Sequence, residues 1–268
     1  MSFLKKRKFS PKLTIMKVGI IVTVHWSDKL RPQGGMFLKK YLESLQNDIP
    51  KCNYCIYVID NQSEFKLIIP DKLNYKYTYV KDQTIQGLTG AWNLGIDQAF
   101  NDGCDLIINT NDDLTFNNNL NYFIEDIVTS EYKDSAIFGP RTNNAPKEHP
   151  NGLPPESSTY TILNVKEGSL KNVLYGFCFA FTKKVYEVGK ISSTKFFPYK
   201  HKMSQGLDHW GSQEGYFSIL SSIGIKNILC NRAFFKHVKL ESWMIHHNLY
   251  DYNSKSRIKD PSKIKTII

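Results

Sequence analysis

The chain has 268 residues, enough for one large domain or two small ones, and its 41% hydrophobic and 22% charged residues match an ordinary globular protein rather than a disordered one. No apolar run approaches the roughly 20 residues of a membrane-crossing helix, and the basic start (Lys5, Lys6, Arg7, Lys8) is not followed by the apolar segment of a secretory signal. The net charge of +10 suits a polyanionic partner such as nucleotide phosphates or an anionic membrane surface, but part of the excess sits at the two ends and no helix-turn-helix, finger or RNA-recognition motif is present, so no specific nucleic acid is expected.

Residues 1–16 read as a basic leader. Lys17 to His25 (KVGIIVTVH) is a near-continuous, β-branched apolar run and predicts a buried first strand. Phe37, Leu38, Tyr41, Leu42 and Leu45 recur at helical spacing and predict the first helix. Tyr54 to Ile59 is a second strand, stopping at Asp60-Asn61-Gln62-Ser63, and Tyr75 to Val80 a third. Gly87 to Phe100 enters a helix with Ala91, Gly95 or Ile96, and Ala99 on one face. Five cysteines, an odd number, argue against a disulfide framework and for a reducing, cytoplasmic setting; Cys52-x-x-Cys55 has no second pair and reads as structural.

The stretch from Cys104 to Phe116 (CDLIINTNDDLTF) organises the rest. Leu106 to Ile108 is the apolar run of a strand buried in a parallel sheet, and polarity reverses at Asn111, Asp112 and Asp113. Clustered carboxylates at the C-terminal edge of such a sheet stand where open α/β sheets bind ligands. They repel unless a cation or hydrogen-bonding partner offsets them; an acidic turn is the alternative, since Asn and Asp favour turns. Leu120, Phe123, Ile124 and Ile127 mark another helix, and Ala136 to Gly139 another strand. The alternation predicts an α/β fold with a parallel sheet. His25, Asp60 and Asp113 all follow strands.

The second half is less regular. Arg141 to Ser158 is rich in Asn, Pro and Gly and reads as a mobile surface loop. Tyr175 to Phe181 is an aromatic strand beginning with Gly176, followed by a short helix or turn over Lys183 to Gly189. Phe196 to Gly211 is an aromatic, polar loop carrying Asp208, His209 and Trp210. Glu214 to Ile223 is a helix stopped by Gly224. Lys226 to Cys230 is a strand, followed by Phe234-Phe235-Lys236-His237.

From about Lys17 to His237 this order of motifs resembles the metal-dependent family-two glycosyltransferases with the GT-A fold. Ile20 to His25 resembles the family's first strand, with Val22 where a proline is usual and His25 where an asparagine is usual. Val58 to Ser63 resembles its Asp-Asn-x-Ser turn, Gly87 to Ile96 its helix entry with Asn93-x-Gly95, and Ile108 to Phe116 its Asp-x-Asp segment in an Asn-x-Asp form. Gly176 resembles the glycine opening the acceptor half, and Glu214 to Gly224 the helix that begins with the catalytic base.

The resemblance implies a GT-A (Rossmann-like) domain over 17–248, with a nucleotide-binding half (17–140), an acceptor half (141–248) and a basic tail (249–268). It implies inverting transfer of a sugar from a nucleoside-diphosphate sugar to a glycan, protein or lipid acceptor, with a divalent cation, Mn²⁺ or Mg²⁺. Donor contacts fall on Thr23, His25, Asp60, Gly87, Asn93, Asn111, Asp112 and Asp113; acceptor contacts on Gly176 and Trp210; metal ligands on Asp113 and His237; the base on Glu214, with Asp208 its rival because Gln213-Glu214 replaces the usual Glu-Asp. The basic ends allow at most peripheral membrane contact. A nucleotidyltransferase, faintly echoed in Arg31-Pro32-Gln33-Gly34-Gly35, and a non-catalytic nucleotide-sugar binder are the alternatives.

Overall fold

The computed structural model describes residues 16–27, 34–81, 87–143, 150–152, 158–166, 172–197, 212–237, 250–251 and 256–257. Four strands form a parallel unit: β1 (Lys17–Val24), β2 (Asn53–Asp60), β3 (Tyr75–Tyr79) and β4 (Leu106–Asn111), in the order β3-β2-β1-β4. Helices α1 (Gly34–Asn47) and α2 (Gly87–Asn101) lie between them in sequence. After β4 come β5 (Leu114–Thr115), α3 (Leu120–Thr129), β6 (Ala136–Thr142), β7 (Tyr160–Leu163), β8 (Cys178–Thr182), α4 (Lys183–Gly189), α5 (Ser212–Ser222) and β9 (Lys226–His237). The same sheet continues from β4 through β8, β6 and β9 to β5, with β7 also on β9. β8 is antiparallel to both β4 and β6, so the sheet is mixed beyond its parallel half. Both predicted halves therefore share one sheet.

The apolar runs of β1, β2 and β4 are continuous because helices cover both faces of the sheet, and alternate residues feed two cores. Val18, Ile20, Val22, Ile56, Val58, Leu106 and Ile108 join Leu38, Tyr41, Leu42 and Leu45 of α1 and Phe123 and Ile127 of α3. Ile21, Tyr57, Ile59 and Ile107 join Ala91, Trp92, Ile96 and Ala99 of α2, with Phe179, Phe196, Phe197 and Phe217. The helical face predicted for α1 is the face it buries. Gly224, with φ +91°, ends α5: its N–H and that of Ile225 donate to the carbonyls of Ser221 and Leu220, a left-handed stop that favours glycine.

The second half departs from expectation in five places. Arg141 and Thr142 do not begin a loop; they complete β6 and are buried. Asn151, inside the expected loop, is fully buried and ties Pro140 O (2.6 Å) to Tyr175 N (3.0 Å). β7 was not expected. The strand expected from Gly176 begins at Cys178, after a turn at Gly176 and Phe177.

The fifth difference matters most for the site. Lys226 to Cys230 does not end at Cys230; β9 runs twelve residues to His237. Its register with β6 jumps from Pro140↔Cys230 to Arg141↔Phe234, leaving Asn231, Arg232 and Ala233 as a bulge. Bulges of this kind bend a strand and re-aim its remaining residues. Side chains reach in to hold the bulge. Asn231 Oδ1 accepts from Arg141 Nη2 (2.7 Å), and its Nδ2 donates to Ser158 Oγ (2.9 Å) and Thr161 Oγ1 (3.0 Å). Arg232 Nε donates to the buried carboxylate of Asp126 on α3 (2.8 Å), and the Arg232 guanidinium stacks over Tyr122. Within the predicted tail, Tyr250–Asp251 pairs antiparallel with Ser256–Arg257.

α2 seats on the sheet at Gly95, where a Cβ would lie 2.5 Å from Ile21 Cγ2 and 3.0 Å from Ile59 Cγ1. Both neighbours are buried β-branched side chains in the packed core, so Gly95→Ala should overpack this contact by about 1–3 kcal/mol, outweighing alanine's better helix propensity of roughly 1 kcal/mol. Thermal denaturation should show a Tm several degrees below that of the parent chain; an unchanged or higher Tm would mean that α2 does not pack this closely.

Candidate functional site

β1, β2 and β4 end at one edge, in register: Val24 pairs with Asp60, and Thr23 with Asn111. The loops leaving β1 and β2 are strapped together. Asn61 N–H donates to Val24 O (2.7 Å), Trp26 N–H to Ser63 Oγ (2.9 Å) and Glu64 N–H to Trp26 O (2.8 Å). His25 Nδ1 lies 2.8 Å from Asn61 O, and a carbonyl only accepts, so Nδ1 carries the proton. In the neutral ring Nε2 is then the acceptor for Ser27 Oγ at 3.1 Å. His25 thus braces the edge with both ring nitrogens.

Asp60 is buried at the base of this turn. Its Oδ1 accepts the Ser63 N–H (2.8 Å) and its Oδ2 the Tyr77 hydroxyl (2.5 Å). Burial, then the hydrogen bond and charge of Asp60, push the Tyr77 phenol well above its ordinary range, so Tyr77 stays a donor. Each carboxylate oxygen retains a second acceptor direction for a ligand hydroxyl or N–H.

On β4, Asn111 N–H donates to Phe177 O (2.9 Å), which ties the strand end to the turn containing the buried Gly176. Asp112 is buried on the α1 side. There the Tyr41 hydroxyl meets Thr110 Oγ1 at 2.8 Å, and burial above all, with Cys178 and Asp112 adding, drives the Tyr41 phenol far upward. Asp113 points elsewhere: its Oδ1 lies 3.0 Å from His237 Nε2, and both side chains are buried. The contact results from pairing of Leu114 with His237 between β5 and β9. Phe116 anchors that pairing, packed edge-on against Tyr41 (5.2 Å) and Phe235 (5.0 Å). Asn143 fixes the other end, accepting the His237 N–H at 2.8 Å.

At 3.0 Å the pair is in direct contact as a hydrogen bond or ion pair, and the same spacing could serve two positions of a divalent cation. Ligand atoms roughly 2.1 Å from an octahedral ion and at right angles to each other lie about 3 Å apart, the spacing of Asp113 Oδ1 and His237 Nε2. A carboxylate oxygen suits Mn²⁺ or Mg²⁺, and the imidazole nitrogen beside it favours Mn²⁺ over the harder Mg²⁺. Among the described residues no group of three such side chains gathers, so the share of a coordination shell they offer is this pair.

Other expected site residues fall in different places. Gly87 opens α2 with φ +56°. Asn93 is buried, and three hydrogen bonds of its amide go to the chain's own backbone. Oδ1 accepts the N–H groups of Phe196 (3.0 Å) and Phe197 (2.8 Å), and Nδ2 donates to Phe197 O (2.8 Å). It ties α2 to the segment ending at Phe197. The backbone of Glu214 lies in the first turn of α5; Asp208 and Trp210 lie outside the described residues. The sequence reading missed Tyr77 and Asn143. Asn143 was hidden in an Asn-rich stretch with loop composition, and Tyr77 gave no signal beyond the alternation of an edge strand.

Three comparisons bear on identity. The model of the family "Glycosyl transferase family 2" matches residues 35–189, more than half of the chain. That span contains Asp60, Asn111 to Asp113 and Gly176, begins after Thr23 and His25, and ends before Glu214 and His237. A comparison with curated proteins finds no significant match. Among solved structures, S. aureus TarS 1–349 is similar over 87% of this chain and 64% of its own, at 17% identity and TM-score 0.52. A longer TarS structure is similar over 84% of this chain and 37% of its own, at 16% identity and TM-score 0.53. TarS 1–349 in complex with UDP is similar over 82% and 60%, at 17% identity and TM-score 0.51. The chain thus spans less than two thirds of each of these relatives, and at such identities the likeness speaks for the fold. With a mixed sheet whose parallel half carries Asp60 and Asn111 to Asp113 at its strand ends, the chain belongs to glycosyl transferase family 2 and has its GT-A fold.

Proposed function

We propose that this chain transfers a sugar from a nucleoside-diphosphate sugar to an acceptor hydroxyl, with inversion and with a divalent cation. The observation that carries the reading is the Asp113–His237 pair at the sheet edge that also holds Asp60. UDP is the first nucleotide to test, since a structurally similar TarS structure is a complex with UDP.

Asp60, preset by Ser63 and Tyr77, accepts hydrogen bonds from the nucleoside, as a carboxylate whose partners already fix its orientation. Thr23 and His25 line the same edge, and Asn111, neutral and next in register to Thr23, orients the ribose. Asp113 and His237 hold the cation, which when bound offsets the negative charge that grows on the leaving diphosphate. Interactions that strengthen as that charge develops lower the barrier, whereas those equal in both states do not. Glu214, at the start of α5, removes the acceptor proton as the hydroxyl attacks the anomeric carbon from the side opposite the diphosphate; Asp208 is its rival, and Gly176 and Trp210 belong to the acceptor side. The acceptor is a glycan, protein or lipid hydroxyl.

Two experiments test this. UDP should raise the Tm of the chain in Mn²⁺ more than in EDTA, because a ligand of the native state alone stabilises it, and Asp113→Ala should erase that difference while leaving the Tm without ligand within a few degrees. Metal-independent UDP binding, or unaltered metal dependence in Asp113→Ala, would refute the cation site. Slow hydrolysis of a UDP-sugar without pyrophosphate release from UTP separates a transferase from a nucleotidyltransferase, and absence of both reactions marks a binder.

For the base, Glu214→Gln should lower turnover by roughly 10²- to 10⁴-fold with UDP affinity unchanged. The opposite pattern, a dead Asp208→Asn beside an active Glu214→Gln, assigns the base to Asp208.

A further inference from the structure

Directly below the donor edge, on the face of the sheet covered by α2, polar atoms gather that have no partner among the described residues. Asn109, in the middle of β4 and completely buried, leaves both its Oδ1 and its Nδ2 without a hydrogen bond. The indole Nε1 of Trp92 on α2, the Oγ1 of Thr23 and the Oδ1 of Asn111 are likewise buried and without partners among the described residues. These five atoms belong to residues that neighbour one another through the sheet register and the packing of α2. Ile21, Thr23, Asn109 and Asn111 alternate onto the same face, with Ile21 paired to Asn109 and Thr23 to Asn111. Phe179 lies opposite Asn109 on β8, and the Trp92 ring packs edge-on against Phe179 at 5.4 Å. One turn along α2, Gly95 touches Ile21.

An unsatisfied buried donor or acceptor is among the more costly defects of a folded protein, and a leucine of similar volume at position 109 would remove two of these at once. The set is chemically matched to water. It offers an indole donor, a hydroxyl, and both ends of an amide, with no charged group among the five, and a buried water typically joins two to four such atoms. The lower pair, Asn109 and Trp92, lies within the core, whereas the upper pair, Thr23 and Asn111, faces the donor edge.

We propose that Asn109 is a positioning residue for the donor site: through ordered water shared with Trp92, it fixes the Thr23 hydroxyl and the Asn111 amide in the orientation that receives the nucleotide. The proposal rests on the donor reading above, and it adds a cause for placing an asparagine inside a strand that otherwise reads as apolar. Networks of this kind are stiff when complete and lose their order when one member goes. The Asn109 amide makes no hydrogen bond to protein among the described residues, so folding and binding should respond to its replacement in different directions.

The test is Asn109→Leu beside Asn109→Thr, each measured for Tm without ligand and for UDP affinity in Mn²⁺ by calorimetry. Asn109→Leu should have a Tm equal to the parent's or higher by about 2–4 °C, yet bind UDP roughly tenfold more weakly, the effect of about one lost hydrogen bond. Asn109→Thr, which keeps a donor and acceptor, should retain most of the affinity. Unchanged UDP affinity in Asn109→Leu overturns the proposal. So does a parallel fall of Tm and affinity in both variants, which would mark Asn109 as a packing residue only. If the parent chain itself binds no UDP, the donor reading fails, and this proposal with it; if the parent binds and Asn109→Leu binds equally well, only this proposal fails.

Discussion

The pairing of Leu114 with His237 is the constraint on which the site depends. β4 and β9 are far apart in the sheet, separated by β8 and β6, and β9 begins as a regular parallel partner of β6. After the bulge at Asn231 to Ala233, β9 resumes its pairing with β6 at Arg141 and Thr142 and then meets β5 through Lys236 and His237. The bulge turns the strand, β5 catches it, and a histidine from the end of the sheet's last long strand arrives 3.0 Å from a carboxylate just beyond its central strand. The wedge of Phe116 between Tyr41 and Phe235 couples this closure to both the α1 core and β9.

That geometry explains why polar and charged groups are tolerated deep in the second half. Arg141 and Asp126 are buried and Arg232 is half-buried, and such groups are costly unless paired. Each is committed to holding the bulge. Arg141 and Asn231 join β6 to β9, and Arg232 reaches across to Asp126 on α3. The polar residues of the parallel half serve the edge in the same way. Asp60 is held by Ser63 and Tyr77, and His25 by Asn61 and Ser27, so the loops leaving β1 and β2 are fixed against one another.

The parallel half was legible in the sequence because its physics is local. Strands covered on both faces are written as unbroken apolar runs, so β1, β2 and β4 stand out, and α1 announces its buried face through the spacing of Phe37, Leu38, Tyr41, Leu42 and Leu45. The second half was harder because its order is set by contacts distant in sequence. Asn231, Arg232 and Ala233 interrupt an apolar pattern and read as a strand end, although the partners that keep the strand going, Arg141 and Asp126, lie about a hundred residues away. Asn93 shows the same limit from the other side. Its amide binds the backbone of Phe196 and Phe197, about a hundred residues away, and nothing local to α2 indicates that partner. Asp113 was legible as an acidic residue after a buried strand. His237 was singled out through the family resemblance alone, because nothing local to Phe234-Phe235-Lys236-His237 indicates the strand it pairs with.

The central claim is that Asp113 and His237 act on one shared cation at the donor edge. The most direct measurement is a double-mutant cycle on UDP affinity in Mn²⁺, using Asp113→Ala, His237→Ala and the two combined, by titration calorimetry. Two ligands of one ion are coupled, so the double variant should bind UDP scarcely more weakly than the worse single variant, and all three should approach the affinity of the parent chain in EDTA. Losses that simply add, with metal dependence surviving in either single variant, would contradict a shared cation and with it the role assigned to the β5–β9 closure.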